Sequence, residues 1–230
     1  MRLESYEKNA VLCVSVSLWL TLCWVSFAWG NPANDLTVAE ITQKVEAAQS
    51  AVKDVQMDLN MEMKDSLSGA VQKMRGQIKI KNPNRVFVHF SQPNEQFLYI
   101  SGPLAQMYQP SQKMVYQQKS GKGANAGPVY VGVGKQLKNY IEICKVSINK
   151  NSNDEVQLFF KPYSPDTAGF DEMKVFIHKK DWWPYQMEME TTSATTKASF
   201  SNFSFNKGLQ DSLFEFKAPK GAEVVDGLIY

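Results

Sequence analysis

A chain of 230 residues that is 43% hydrophobic and 21% charged has the composition of a folded globular protein. A mean hydropathy of −0.33 with a single long apolar block excludes a multispanning membrane protein. The formal charge of +2 offers no basic surface for nucleic acid, and two histidines with three cysteines leave little for a metal site or a disulfide scaffold. No nucleic-acid partner, metal or cofactor is expected.

The N-terminus reads as an address. Residues 10–29 (AVLCVSVSLWLTLCWVSFAW) carry no charge, and Ala28-Trp29-Gly30 places small residues at the −3 and −1 positions of a signal-peptidase site. A cleaved signal peptide over 1–30 is the expectation, with a single domain from 31 to 230 in the periplasm. About twenty apolar residues would also serve as an uncleaved anchor. Cys13 and Cys23 each follow leucine, so neither has the small preceding residue of a lipidated cysteine. Cleavage leaves Cys144 alone and the domain without an internal disulfide.

A helix opens the domain. Thr37 and Glu40 form a capping box, and Val38, Ile41, Val45, Ala48 and Val52 recur at helical spacing, so the helix runs to about Val52 or Lys53. The period then becomes two: Val55, Met57, Leu59, Met61 and Met63 alternate with polar residues, as a half-buried strand requires. Further strands are predicted around Met74–Ile80, Val86–Phe90, Phe97–Ile100, Leu104–Tyr108 and Lys113–Gln117, separated by turns rich in Asn, Pro and Gly. Residues 119–128 (KSGKGANAGP) form a polar loop; no Ser or Thr follows Lys122, so this is not a phosphate-binding loop. A short helix is expected over Lys135–Ile141. Strands return at Ile143–Asn149, Glu155–Lys161, Lys174–His178, Tyr185–Thr191, Ala198–Phe205 and Leu213–Lys217. The architecture expected is mainly β with helices (α+β): an incomplete antiparallel barrel of about ten or eleven strands.

Catalytic material is sparse. His89 and His178 alternate with apolar neighbours and should face solvent, Cys144 reads as a small core residue, and the carboxylate pairs Asp154-Glu155 and Asp171-Glu172 sit at strand starts. No Gly-x-Ser-x-Gly, HExxH or CxxC motif occurs, so an enzyme is not expected. The informative side chains are apolar. Nine of the ten methionines lie beyond the leader, and the pairs Met61/Met63 and Met187/Met189 lie on strand faces beside many phenylalanines. Methionine is flexible and polarizable and lines surfaces that accept variable apolar shapes. Composition alone leaves open whether that inventory is plain core or a ligand cavity.

Two segments carry a resemblance. Asn82-Pro83-Asn84-Arg85-Val86-Phe87-Val88 through Ser91-Gln92-Pro93, Gly102 and Met107-Tyr108-Gln109-Pro110, together with Leu213 to Asp226, resemble the periplasmic outer-membrane lipoprotein carrier family (LolA). That family carries RPxxFxW, then QP, an apolar strand ending in a glycine turn, and an F-x-F-x-x-P-x-G ending. The resemblance implies a half-barrel, lidded by helices, whose concave face shelters lipoprotein acyl chains. The side chains expected on that face are Met57, Leu59, Met61, Ile78, Val86, Val88, Phe90, Met187, Met189 and Phe203. Ile41 and Val45 would belong to the lid. The arginine that latches the family's lid falls at Asn82, with Arg85 three residues on and, by alternation, facing away from Val86 and Val88; the family tryptophan falls at Val88 and its aspartate at Ser101. The implied partners are acylated lipoproteins, an inner-membrane lipoprotein-releasing ABC transporter and an outer-membrane receptor, with the carrier acting as a monomer. The alternative is a lipid-sensing or regulatory domain of the same fold that acts by protein contact.

Overall fold

The opening helix, α1, runs Val38–Ser50 and starts where its capping box demands. The Thr37 hydroxyl accepts the Glu40 N–H at 3.2 Å, and the Glu40 carboxylate accepts the Thr37 N–H at 2.7 Å. The structure, a computed structural model, describes residues 36–119 and 136–226. The expected leader and all but the first residue of the 119–128 loop lie outside the described residues.

After α1 the chain builds strands β1 (Asp54–Asp65), β2 (Val71–Lys81), β3 (Arg85–Gln92), β4 (Gln96–Ser101), β5 (Leu104–Gln109) and β6 (Met114–Lys119). Helix α2 (Gln136–Ile143) leads into β7 (Cys144–Asn151) and β8 (Glu155–Pro162), and α3 (Pro165–Ala168) into β9 (Glu172–His178), β10 (Pro184–Glu190) and β11 (Ala194–Phe205). A short β12 (Glu223–Asp226) follows near the end. All twelve lie in one sheet in the order β12-β6-β5-β4-β3-β2-β1-β11-β10-β9-β8-β7. The sheet stays open, with β12 and β7 at its edges, so it is an incomplete barrel. The pairing of β1 with β11 joins two runs of meandering hairpins that are far apart in sequence.

Alternation and register set one apolar face. Met57 pairs with Ile78, Ile78 with Val88, Val88 with Leu98 and Leu98 with Met107. A second rung runs Met74, Met61, Ala198, Met187, Val175, Leu158. Side chains on one rung share a face, so each hairpin extends the same apolar surface. Gly76 sits between Leu59 and Phe90 on this surface, and a Cβ there would come within 2.3 Å of the His89 carbonyl oxygen. Only glycine lets β2 and β3 approach at that point.

Three sequence expectations need correction. Leu213–Lys217 is not a strand: Asp211–Phe214 is a 3₁₀ turn, and the residues after it are extended without a ladder. Twelve strands form among the described residues instead of ten or eleven, and the sheet is not wholly antiparallel, because β12 pairs parallel with β6. The helix expected over Lys135–Ile141 is present from Gln136, the first described residue there, and runs two residues further, to Ile143.

Candidate functional site

The apolar face is the site's floor. Met57, Leu59, Met61, Ile78, Val86, Val88, Phe90, Met187 and Met189 are all buried in one continuous cluster. Phe203, the tenth residue expected there, is half-buried and packs against the cluster's margin. Its placement depends on a bulge. Phe200 lies on the apolar face, so strict alternation would turn Phe203 outward. The register shift between Gln56 and Asp58, with Asn202 at φ 54, restores Phe203 and Phe205 to the side of Trp183.

Part of this floor was not among the expected residues. Leu98, Ile100 and Met107 extend it on one side, and Leu158, Phe160, Met173, Val175 and Ile177 on the other. All but Met173, which lies one residue before the strand predicted from Lys174, sit at alternating positions of predicted strands, so the signal was present for them. Six methionines (57, 61, 107, 173, 187 and 189) are buried in the cluster and Met74 packs against it. A floor this rich in unbranched thioethers can repack around different apolar shapes.

Helices cover the floor. Ile41 and Val45 of α1 are 0% exposed, and Leu137 and Tyr140 of α2 join the same cluster. Tyr140 meets Phe170 edge-on at 5.7 Å, and burial pushes its phenol up to about 12. In this conformation the cover is shut.

Beyond that apolar burial, few polar contacts hold α1 down. The Asn82 side chain, at the tip of the β2–β3 hairpin, donates from Nδ2 to the carbonyls of Val52 (2.5 Å) and Gln49 (3.2 Å) at the helix's C-terminal end. Its backbone N–H donates to Lys53 O at 2.9 Å. These carbonyls lie in the last turn of the helix and just beyond it, where the Gln49 carbonyl also accepts the Val52 N–H at 3.2 Å. On the helix's other flank the Lys44 ammonium lies 5.1 Å from the Trp182 ring centre. Arg85, the second latch candidate, does not reach α1: its Nη1 lies 3.0 Å from Asp211 in the C-terminal segment.

The opposite face of the sheet carries the groups that catalysis would need, and they are scattered. His89 stacks on Phe97 and pairs with Glu95, and His178 stacks on Tyr185 at 3.9 Å. Tyr185 donates to Glu155 and is pushed up to about 12 by burial and by that carboxylate, while hydrogen bonds from Lys150 and Tyr185 hold Glu155 below its usual range. Cys144 lies apart from these, buried in the apolar cluster, where burial pushes its thiol up to about 11, so it is protonated at neutral pH. Among the described residues no three metal-ligating side chains cluster.

The family model described as "Outer membrane lipoprotein carrier protein LolA" matches residues 37–217 of this chain. A protein of Pseudomonas putida strain W619, named outer-membrane lipoprotein carrier protein, is 23% identical over 211 residues, covering 90% of this chain and 94% of its own length. One of the same name from Azotobacter vinelandii is 24% identical over 209 residues, covering 90% and 96%. Among solved structures, an uncharacterized conserved protein from Thermus thermophilus superposes with a TM-score of 0.55 over 82% of this chain and 98% of its own, at 13% identity.

Proposed function

The chain belongs to the LolA family of outer-membrane lipoprotein carriers, and from that premise we propose that it is a periplasmic carrier that shelters lipoprotein acyl chains on its methionine-rich inner face. The observation that carries the proposal is the pairing of that face with a cover held by very few polar bonds. Each methylene taken out of water is worth about 0.8 kcal/mol, so one long acyl chain gains on the order of 10 kcal/mol on entering such a floor. That gain alone would trap the cargo. When the cargo leaves, Ile41 and Val45 refill the space and recover part of the same apolar burial, which keeps the empty state from being much less stable.

Asn82 is the proposed latch. It stands where the family pattern has arginine, and its amide makes two hydrogen bonds, one to the last turn of α1 and one to the chain just beyond it, each worth about 1 kcal/mol net. Opening α1 exchanges those bonds for water, and an incoming chain replaces the apolar contacts of Ile41 and Val45, so the cover can yield to it. Cargo is proposed to come from an inner-membrane lipoprotein-releasing transporter and to be passed to the outer membrane, with the leader at 1–30 directing export.

The test is a release assay. Purified protein is added to spheroplasts that carry a labelled triacylated lipoprotein, and the soluble fraction is recovered. A one-to-one soluble complex is expected. If no lipoprotein leaves the spheroplast membrane at any protein concentration, the carrier reading is wrong.

A further inference from the structure

The latch turn is gripped from behind. Asn82-Pro83-Asn84 is the tip of the β2–β3 hairpin, and the residues that close its base, Lys81 and Arg85, are directly paired across the two strands. Two like charges at directly opposed positions destabilise a strand pair. Here one carboxylate answers both. Asp211 Oδ1 lies 2.6 Å from Lys81 Nζ and 3.0 Å from Arg85 Nη1, the latter an ion pair bent away from a straight hydrogen bond. Lys81 also donates to the Leu209 carbonyl at 2.7 Å.

Asp211 itself is held in place. The segment that carries it leaves β11 and is fixed by the buried carboxylate of Asp54, which accepts the backbone N–H groups of Lys207 (2.8 Å), Gly208 (3.0 Å) and Leu209 (3.3 Å). Beyond Asp211, Phe214 is buried and Phe216 packs on Tyr99 at 5.0 Å. The C-terminal segment is therefore a strap fastened to the outer face, and its one carboxylate at this point lands on the base of the hairpin whose tip holds α1 on the inner face.

We propose that Asp211 is a positioning residue for the Asn82 latch: by neutralising Lys81 and Arg85 it keeps the β2–β3 hairpin closed at its base, so the strap on the outer face sets how readily the cover on the inner face opens. This rests on the carrier reading for its use, but not for its test. Without Asp211 the two cations repel at the foot of the hairpin and the turn splays. Asn82 then loses its alignment with the carbonyls of Gln49 and Val52. Anything that lifts the strap from outside, such as a partner protein competing for Lys81 and Arg85 with an acidic side chain, would loosen the cover without touching the apolar floor.

The experiment is hydrogen exchange of the backbone amides of α1 in the full chain, for the parent, Asp211→Asn, Asn82→Ala and the double variant. Amides of β8 and β9, far along the sheet, report global stability. Asn82→Ala should speed α1 exchange about thirtyfold, for two lost hydrogen bonds. Asp211→Asn should speed it about 2–5-fold, the size expected of an exposed charge cluster, and leave β8 and β9 unchanged. The double variant should match Asn82→Ala alone, because Asp211 acts through that side chain. Salt gives a second reading of opposite sign. Raising ionic strength should speed α1 exchange in the parent, by screening the clamp, and slow it in Asp211→Asn, by screening the repulsion between Lys81 and Arg85. Effects that multiply in the double variant, an Asp211→Asn α1 that exchanges like the parent, or faster exchange throughout the sheet would each overturn the proposal. Exchange behaving as expected while a dansyl-labelled fatty acid fails to bind would leave this coupling standing and sink the carrier reading instead.

Discussion

The two faces of the sheet are both covered, but by different chemistry. Outside, the strap over β3 to β6 is fastened by a buried carboxylate with three amide donors, by an ion cluster on Asp211, by Phe214 and Phe216 among the aromatics, and by the β12 ladder. Inside, α1 lies on an apolar floor and is tied at one end by Asn82 and at its flank by Lys44 over Trp182. Apolar contact is not directional and tolerates replacement of one apolar surface by another. Directional bonds to buried groups are costly to break without substitutes. The outer cover is thus held by bonds that resist exchange, and the inner one by contacts that another apolar surface can replace.

The largest expected effect breaks the outer fastening. Asp54→Ala strands three amides and should cost about 2–4 kcal/mol, which thermal unfolding will register as a fall in Tm of about 6–12 °C. An unchanged Tm would mean the strap is not fixed there. On the inner face, Val88→Glu places a carboxylate at a fully buried rung and should reduce binding of an acyl probe by at least about tenfold. Circular dichroism establishes that the sheet persists, and the milder Val88→Asn serves if it does not. Undiminished binding by a folded variant would remove Val88 from the pocket.

Asn82→Arg restores the family residue at the latch and should tighten the closed state, slowing release of a bound probe several-fold in stopped-flow displacement. Identical release rates would show that the latch lies elsewhere. The smallest effect concerns the outer face alone. Glu155 titrates below its usual range because Lys150 and Tyr185 donate to it. Its contribution to stability is present above the ordinary carboxylate range and disappears as pH falls through its lowered folded value. Glu155→Gln should therefore lower Tm by about 1–3 °C at pH 7 and progressively less as the pH falls through its lowered folded value, with acyl binding unchanged throughout.

Most of the sheet was legible because each strand buries one face, and Met57, Val88 and Met187 sit at the alternating positions that such burial selects. The strap was not legible. Leu213, Phe214, Glu215, Phe216 and Lys217 alternate as a strand does, yet the same alternation serves any extended segment laid over a surface, with Phe214 and Phe216 turned down and no ladder required. β12 is four residues long and carries two acids, Glu223 and Asp226, so only its tertiary partner β6 makes it a strand. Phe203 was placed on its face in spite of the period, because the bulge that rescues it depends on a positive φ at Asn202, which no hydrophobic pattern records. Asn82 was identified by its place in a resembling segment, with the loss of arginine noted. That a shorter amide still reaches two carbonyls follows from how closely the α1 exit passes the hairpin, which sequence does not state.

On this account acyl chains occupy the inner face and nothing else. The most direct measurement loads the protein with a lipoprotein whose acyl chain carries a terminal diazirine, irradiates the complex and maps the adducts by peptide mass spectrometry. Adducts on Met57, Val88, Met187 and their rung neighbours, suppressed by unlabelled lipoprotein, are the predicted result. Adducts confined to Phe97, Tyr99, Tyr108 and Phe216 beneath the strap would contradict it.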